Sequence, residues 1–295
     1  MLWIIDKTGP SRDVTFAVAQ EMGSDHEGKI KYRMDDGHIT DQVWDDTVPI
    51  REELSDPADP ENRYVFQVSH DQIANDVYVP RYYWRSIDRE IEAEAESAGL
   101  DLVPLGQLVD DGIVQCFRGH GAPANQYKGT GPVPYVRVGD IGNWLLYKNP
   151  TARIPEWVYE DKLGANGVRL EPGDLVFVKD GSYRIGDIGV VLPGDTKMLL
   201  DGHCRVFRVV EENEWGIDWR YLAYLMSHRL TRRQIPSKVF INTTLPDIGD
   251  RWRDLLLPVS TDTSIRAGVR MAVERACQRR EEANSLIEEL LERNA

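Results

Sequence analysis

Between Gly131 and Val191 the chain alternates short apolar runs with turn formers. Val133, Tyr135, Val136 and Val138 make one run, and Leu175, Val176, Phe177 and Val178 another. Gly-Asp, Pro-Gly and Asp-Gly pairs bound them. That spacing predicts short strands joined by tight turns. The Asp180-Gly181 pair has the residue types of a primed hairpin turn, which needs positive φ. A compact β-rich domain is therefore expected in the middle of the chain. From Ile265 the period changes. Ile265, Val269, Ala272, Ala276, Ala283, Leu286 and Leu290 recur at a 3.5-residue spacing that Arg279 interrupts. This predicts a long helix packed along another helix. The opposite face is dense with Arg and Glu, which argues against a helix lying on its own domain.

Elsewhere the patterns are weaker. Val14, Ala17, Val18 and Met22 share one helical face, with Gly23 as the stop. Asp35 to Asp59 reads as a solvated loop carrying at most a short helix. Arg63 to Ser69 alternates as a strand, and Ile87 to Ala98 is an acidic helix. Asp218 is a good N-cap for a helix through Trp219, Tyr221, Leu222, Tyr224, Leu225 and Met226, whose aromatics are expected in the core. The expected class is α+β. Three parts follow: an acidic α/β region over 1–99, a mixed β-rich domain over 100–260, and the long helix over 261–295.

With 295 residues the chain can bury a sizeable core. No apolar run approaches a membrane span, and Asp6 stops the apolar start. The 3 cysteines are too few for a disulfide framework and fit a reducing cytoplasm. The net charge of −14 is uneven: residues 1–99 carry 22 acids and 10 bases, and the rest 27 acids and 25 bases. The first third would repel a polyanion and suits a protein partner. The remainder is near neutral, so one face can still be basic, and local potential steers binding.

The order of the middle pieces carries a resemblance. "YVRVGDI", "LEPGDLVFVKDGS", "GDIGVV", a helix around "YLAYLMS" and a late "LLLPV" resemble, over Val103 to Val259, the target-recognition domain of a type I restriction–modification specificity subunit. Upstream, "FAVAQEMG", "YVFQVS" and "VYVPRYY" resemble the tail of an adenine DNA methyltransferase. The methyltransferase itself is missing. Lys148-Asn149-Pro150-Thr151 lacks the second Pro and the aromatic that grip a flipped adenine. Gly181, Gly186 and Gly189 sit between strands, where no cofactor turn is expected. The resemblance thus implies a half-sized, non-catalytic specificity subunit without a cofactor. Its expected partners are double-stranded DNA, an adenine methyltransferase subunit, a restriction or defence subunit, and a second copy through the C-terminal helix.

Three stretches hold the residue types for DNA: Asn and Gln for adenine edges, Arg and Lys for guanine or phosphate. The first is the Gly-rich connection with Arg118, His120, Asn125, Gln126 and Lys128. The second is Lys179, Ser182, Tyr183 and Arg184. The third is the acid-free run from Arg229 to Thr244, with Arg232, Arg233, Lys238, Asn242 and Thr243; its bland reading is a solvated helix C-terminus, where cations are favoured. Zinc at Cys116, His120, His203 and Cys204 is disfavoured, because adjacent His203 and Cys204 would face opposite sides of a strand. No catalytic constellation emerges. A second functional reading, an acidic protein-interaction module or DNA mimic, rests on the carboxylates before residue 99.

Overall fold

The computed structural model describes residues 13–73, 78–181, 183–210, 212–241 and 245–293. Two compact units divide the chain, Met1–Glu90 and Ile91–Ala295.

In the first unit, β1 (Asp13–Ala17), β2 (Tyr32–Asp35), β3 (His38–Val43), α1 (Thr47–Glu53), β4 (Val65–Ser69) and α2 (Pro80–Tyr83) are followed by α3 (Arg85–Ser97), within which the division falls. The helix expected from Val14, Ala17, Val18 and Met22 is instead a strand. β1 pairs antiparallel with β4, Phe16 opposite Phe66. Phe16 and Val18 are buried while Thr15 and Ala17 are exposed, a period of two. Val14, Thr15 and Phe16 are strand formers, and β4 offered them a partner. The solvated loop expected over Asp35–Asp59 is also revised: it holds the β2–β3 hairpin and α1. Its turn is Asp36-Gly37, both with positive φ (45° and 79°). Strand β4 and helix α3 match their sequence patterns.

The second unit runs β5 (Leu100–Pro104), α4 (Leu105–Asp110), β6 (Val114–Arg118), β7 (Val133–Val136), β8 (Ile141–Gly142), β9 (Leu145–Leu146), β10 (Arg153–Ile154) and α5 (Glu156–Asn166). Then come β11 (Leu175–Val178), β12 (Ile188–Val190), β13 (Leu199–Leu200), β14 (Cys204–Val209), α6 (Trp219–Ser227), α7 (Arg229–Lys238), β15 (Phe240–Ile241), β16 (Pro246–Asp247), β17 (Leu256–Ser260) and α8 (Thr263–Arg293). The class is α+β. A four-stranded antiparallel sheet, ordered β12-β11-β14-β6, is the centre. Leu175 and Phe177 point to a core with Tyr221, Leu222, Leu225 and Trp252. Val176 and Val178 point the other way, to Val136, Met198 and Leu200. Burial on both faces is why this strand reads as an unbroken apolar run.

Two local expectations change here. Strands β11 and β12 are not joined by a tight Asp180-Gly181 turn. The connection is the loop 179–187, in which Gly181 and Gly186, but not Asp180, have positive φ. Helix α8 does lie on its own domain. Val273 and Cys277 join the core, and Arg220 of α6 pairs with Glu274. The expected seam residues Ile265, Ala272, Ala276, Ala283, Leu286 and Leu290 are exposed, and only Val269 of that set packs inward. Arg and Glu on a helix do not exclude docking when carbonyls and opposite charges await them.

Candidate nucleic-acid interface

Strand direction gathers the three stretches. β6 and β11 end, and β12 and β14 begin, at one edge of the central sheet: Arg118 lies opposite Arg205, Val178 opposite Cys204, and Phe177 opposite Ile188. The loops 119–132, 179–187 and 201–203 all leave from that edge. The β15–β16 hairpin joins them through the Asp180–Asp247 bridge.

In the first stretch, Arg118 is exposed. Gly119 passes so close to the Asp201 carbonyl that a Cβ would lie 2.1 Å from it, which only glycine permits. His120 is buried. Its Nδ1 accepts the Leu200 N–H at 2.8 Å, so Nε2 carries the proton and donates to the Val168 carbonyl, also at 2.8 Å. Burial lowers its pKa, against the carbonyl contact. It pins the loop from inside. Asn125, Gln126 and Lys128 are exposed on a 3-10 turn, with Lys128 Nζ 2.9 Å from Asn125 Oδ1. Beside them the Tyr127 ring meets Trp157 edge-on at 4.9 Å.

In the second stretch, Lys179 is a latch. Its ammonium lies 2.6 Å from Asp180 and 2.9 Å from Asp247, largely out of solvent. Burial alone would raise the Asp247 carboxyl, but the Gly249 N–H and the Lys179 ammonium hold it below its usual value. Tyr183, by contrast, is 91% exposed. The Arg184 guanidinium lies 5.6 Å over its ring and donates to the Ile141 carbonyl at 3.1 Å. Ser182 lies outside the described residues.

The third stretch starts with a reversal of the bland reading. Arg229, Arg232 and Arg233 occupy the N-terminal turn of α7, where the helix dipole disfavours cations. Arg232 bonds Asp187 at 2.6 Å, and Arg184 stands 3.6 Å from the same carboxylate. Arg229 and Arg233 both donate to Glu94, and these bonds, Arg233's first, lower the Glu94 pKa. Lys238, at the other end of α7, is buried. Asn242 and Thr243 lie outside the described residues.

Sequence reasoning missed Asn143. The β8–β9 hairpin turns at Asn143-Trp144, both left-handed (φ 50° and 64°). Trp144 Nε1 donates to Ser227 Oγ at 2.7 Å. A cavity of about 360 Å³ opens beside the turn, walled by Asn143, Trp144, Asp187, Ser227 and Arg232. Asn between Ile-Gly and Leu-Leu is the available signal, since Asn favours primed turns. Trp at the second position hides it. Arg184 and Arg232 therefore meet at the Asp187 carboxylate, with Tyr183 beside Arg184 and Arg232 on the cavity wall, while His120, Lys179 and Lys238 serve inside the fold.

No protein-family profile matches the chain, and no curated protein matches it. The likeness is with solved structures. The S subunit of a type I restriction–modification system from M. genitalium is 13% identical, with a TM-score of 0.44 over 64% of this chain and 42% of that one. The HsdS subunit from Thermoanaerobacter tengcongensis is 13% identical, with a TM-score of 0.36 over 75% of this chain and 54% of that one. The type IIG restriction endonuclease BpuSI is 10% identical, with a TM-score of 0.43 over 77% of this chain and 33% of that one. The chain thus spans between 33% and 54% of the length of these proteins. S subunits, the family that the order of its pieces resembles, are among the solved structures similar to it.

The four residues weighed for zinc are otherwise engaged or buried. His120 uses both ring nitrogens, and His203 Nδ1 faces Asp180. Burial pushes the Cys116 thiol up to about 11 and that of Cys204 higher still. Among the described residues no three His, Cys, Asp or Glu side chains are grouped to hold a metal ion. No described helix is long and apolar enough to cross a membrane.

Proposed function

We propose that this chain is a DNA sequence-recognition subunit of a restriction–modification or phage-defence methyltransferase complex. It binds duplex DNA and delegates methyl transfer to a separate adenine methyltransferase subunit. One observation carries the reading: loops far apart in sequence, 119–132, 179–187 and 201–203, leave from one edge of the central sheet, and the β15–β16 hairpin joins them through the Asp180–Asp247 bridge. Beside that edge the guanidinium groups of Arg184 and Arg232 share the Asp187 carboxylate, exposed Tyr183 lies against Arg184, and Arg232 walls a cavity with Asn143 of the β8–β9 turn. Guanidinium groups hold phosphates and guanine edges, and carboxamides read adenine edges. Arg118, Asn125, Gln126, Lys128, Tyr183, Arg184, Arg232 and Arg233 are the contacts we assign, together with Ser182, Asn242 and Thr243, which lie outside the described residues.

The acidic first third is assigned to a protein partner, the methyltransferase. Its β2–β3 hairpin leaves Tyr32, Met34, Ile39 and Val43 exposed, and exposed apolar patches mark protein contacts. This hairpin also favours the second reading, an acidic interaction module or DNA mimic. The end of α8, with Leu286 and Leu290 exposed, is assigned to a partner helix or a second copy. The chain itself transfers no methyl group.

A titration with a fluorescent 30-base-pair duplex pool of random sequence, at two salt concentrations, tests the reading. Binding should weaken as salt rises, with a log–log slope of about −0.9 per phosphate neutralised. A mimic would bind at neither salt concentration, and that result would end the proposal.

A further inference from the structure

Helix α8 reaches the candidate interface through one side chain. Arg280 extends from α8 and donates one Nη to the Trp144 carbonyl and the other to the Val190 carbonyl, at 3.0 Å for the latter. It is half-buried, and its Nε is closed off from solvent with no hydrogen-bond partner. No carboxylate within ion-pair distance compensates the charge among the described residues. A guanidinium removed from water on such terms is costly, because its donors are only partly satisfied. Burial lowers its pKa, outweighing Cys277, Asp195 and Glu281.

What those two carbonyls hold is unusual. Trp144 has φ 64°, a left-handed conformation that a bulky residue rarely adopts. The surroundings over-determine it: its N–H donates to Ile188 and its carbonyl accepts from Val190, both at 3.0 Å, and its indole is fixed on Ser227. Arg280 is the contact that arrives from outside the sheet and α6. It closes the turn whose other member, Asn143, is exposed on the wall of the cavity.

We propose that Arg280 is a positioning residue. By gripping the Trp144 and Val190 carbonyls it fixes the Asn143-Trp144 turn, so that helix α8 determines how Asn143 addresses a base edge. It acts on sequence discrimination and leaves phosphate affinity alone. This rests on the DNA-recognition reading above and names one of its specificity determinants.

The full chain is used to select its preferred duplex from a randomised double-stranded pool. Anisotropy then gives the ratio of affinities for the selected duplex and the unselected pool. Arg280→Met should cut that ratio about tenfold, within the worth of one bidentate base contact, with affinity for the unselected pool and its salt slope unchanged. Asn143→Ala should cut it equally, and the double variant should lose no more than either alone. Arg280→Lys, which keeps donors on a single nitrogen, should recover part. A merely structural arginine would weaken both affinities together and add to Asn143→Ala, and either result overturns the proposal. So does an unchanged ratio in Arg280→Met. Should Arg280→Met fail to fold, the exposed Asn143→Ala and the conservative Arg280→Lys decide, and wild-type ratios in both overturn it. A wild-type chain that binds no duplex sinks the DNA reading and this inference with it, an outcome distinct from binding with intact discrimination.

Discussion

Two hairpins of this chain carry the same Asp-Gly pair and resolve it differently. Asp36-Gly37 makes a tight turn with both residues left-handed, and the strands on either side expose nearly everything. Met34 lies opposite Ile39 and Tyr32 opposite Val43, yet Ile39 remains 73% exposed. Asp180-Gly181 opens instead into the loop 179–187. There Lys179 is latched to Asp247 and the Gly181 N–H donates to the Pro246 carbonyl at 3.0 Å. A turn dipeptide offers a conformation, and the flanking strands decide whether it is taken. Among the described residues β2 and β3 pair only with each other. β11 must fill a core on both faces, and β16 competes for its loop. The first hairpin is left with an apolar face, the second with a pinned scaffold that presents Tyr183 and Arg184.

The largest test of that contrast is in the strands. Phe177→Ala removes a ring wholly buried against Phe207 and should cost about 3–5 kcal/mol. Ile39→Ala should stay within about 0.5 kcal/mol, as surface changes do. Urea unfolding followed by tryptophan fluorescence measures both. A large loss for Ile39→Ala would mean that its face is covered in solution, and the comparison would fail.

This contrast also explains what the sequence made legible. The buried run Leu175–Val178, the Asp218 cap, whose carboxylate accepts the Tyr221 N–H at 2.9 Å, and helix α3 are local statements, readable because each residue's neighbours in sequence settle them. Residues 13–17 were misread because Val14, Ala17 and Val18 fit a helical stripe equally well, and only pairing with β4 decides. Helix α8 was legible as a long helix, but its docking on its own domain was not, because that docking uses Arg266 and Arg280 on backbone carbonyls, which no apolar stripe announces. The three candidate stretches were legible as residue types. Which side chains face inward was not: His120, Lys179 and Lys238 look like ligand contacts until their burial is known, and with it the distant partners of His120 and Lys179.

Binding separates the hairpins next. Arg232→Ala and Arg184→Ala should each weaken duplex binding about tenfold and reduce the salt slope by about one. Arg33→Ala, exposed on β2, should change neither. Anisotropy at several salt concentrations reads this out. An equal loss for Arg33→Ala would move the DNA surface to the first unit.

Acid should act on the second unit through His120. Its folded pKa lies below the ordinary 6.5, because burial disfavours the imidazolium. The neutral form therefore contributes stability that is complete above about pH 6.5 and is lost as pH falls through the lowered folded value. His228 adds the same sign: burial first, then Arg229, lower its pKa, against the pull of Glu94. Urea midpoints measured from pH 7.5 down to 5 should fall, and His120→Gln should flatten that fall while costing stability at every pH. A slope that His120→Gln leaves unchanged would remove His120 from the account.

The smallest effects compare the turns directly. Gly37 and Gly181 both have φ near +80°, so alanine at either position forces a side chain into the left-handed region at about 1 kcal/mol. Space is not at issue. A Cβ on Gly37 meets nothing within 4 Å, and one on Gly181 meets the His203 ring at 3.5 Å, an ordinary contact. The two variants should therefore match in unfolding free energy and differ in function. Gly181→Ala shifts the backbone from which Tyr183 and Arg184 project, and duplex affinity should drop a few-fold. Gly37→Ala strains a turn to which we assign no DNA contact, and affinity should hold. Equal binding losses would show that strain in either hairpin reaches DNA alike, and loop 179–187 would lose its claim to be the reader.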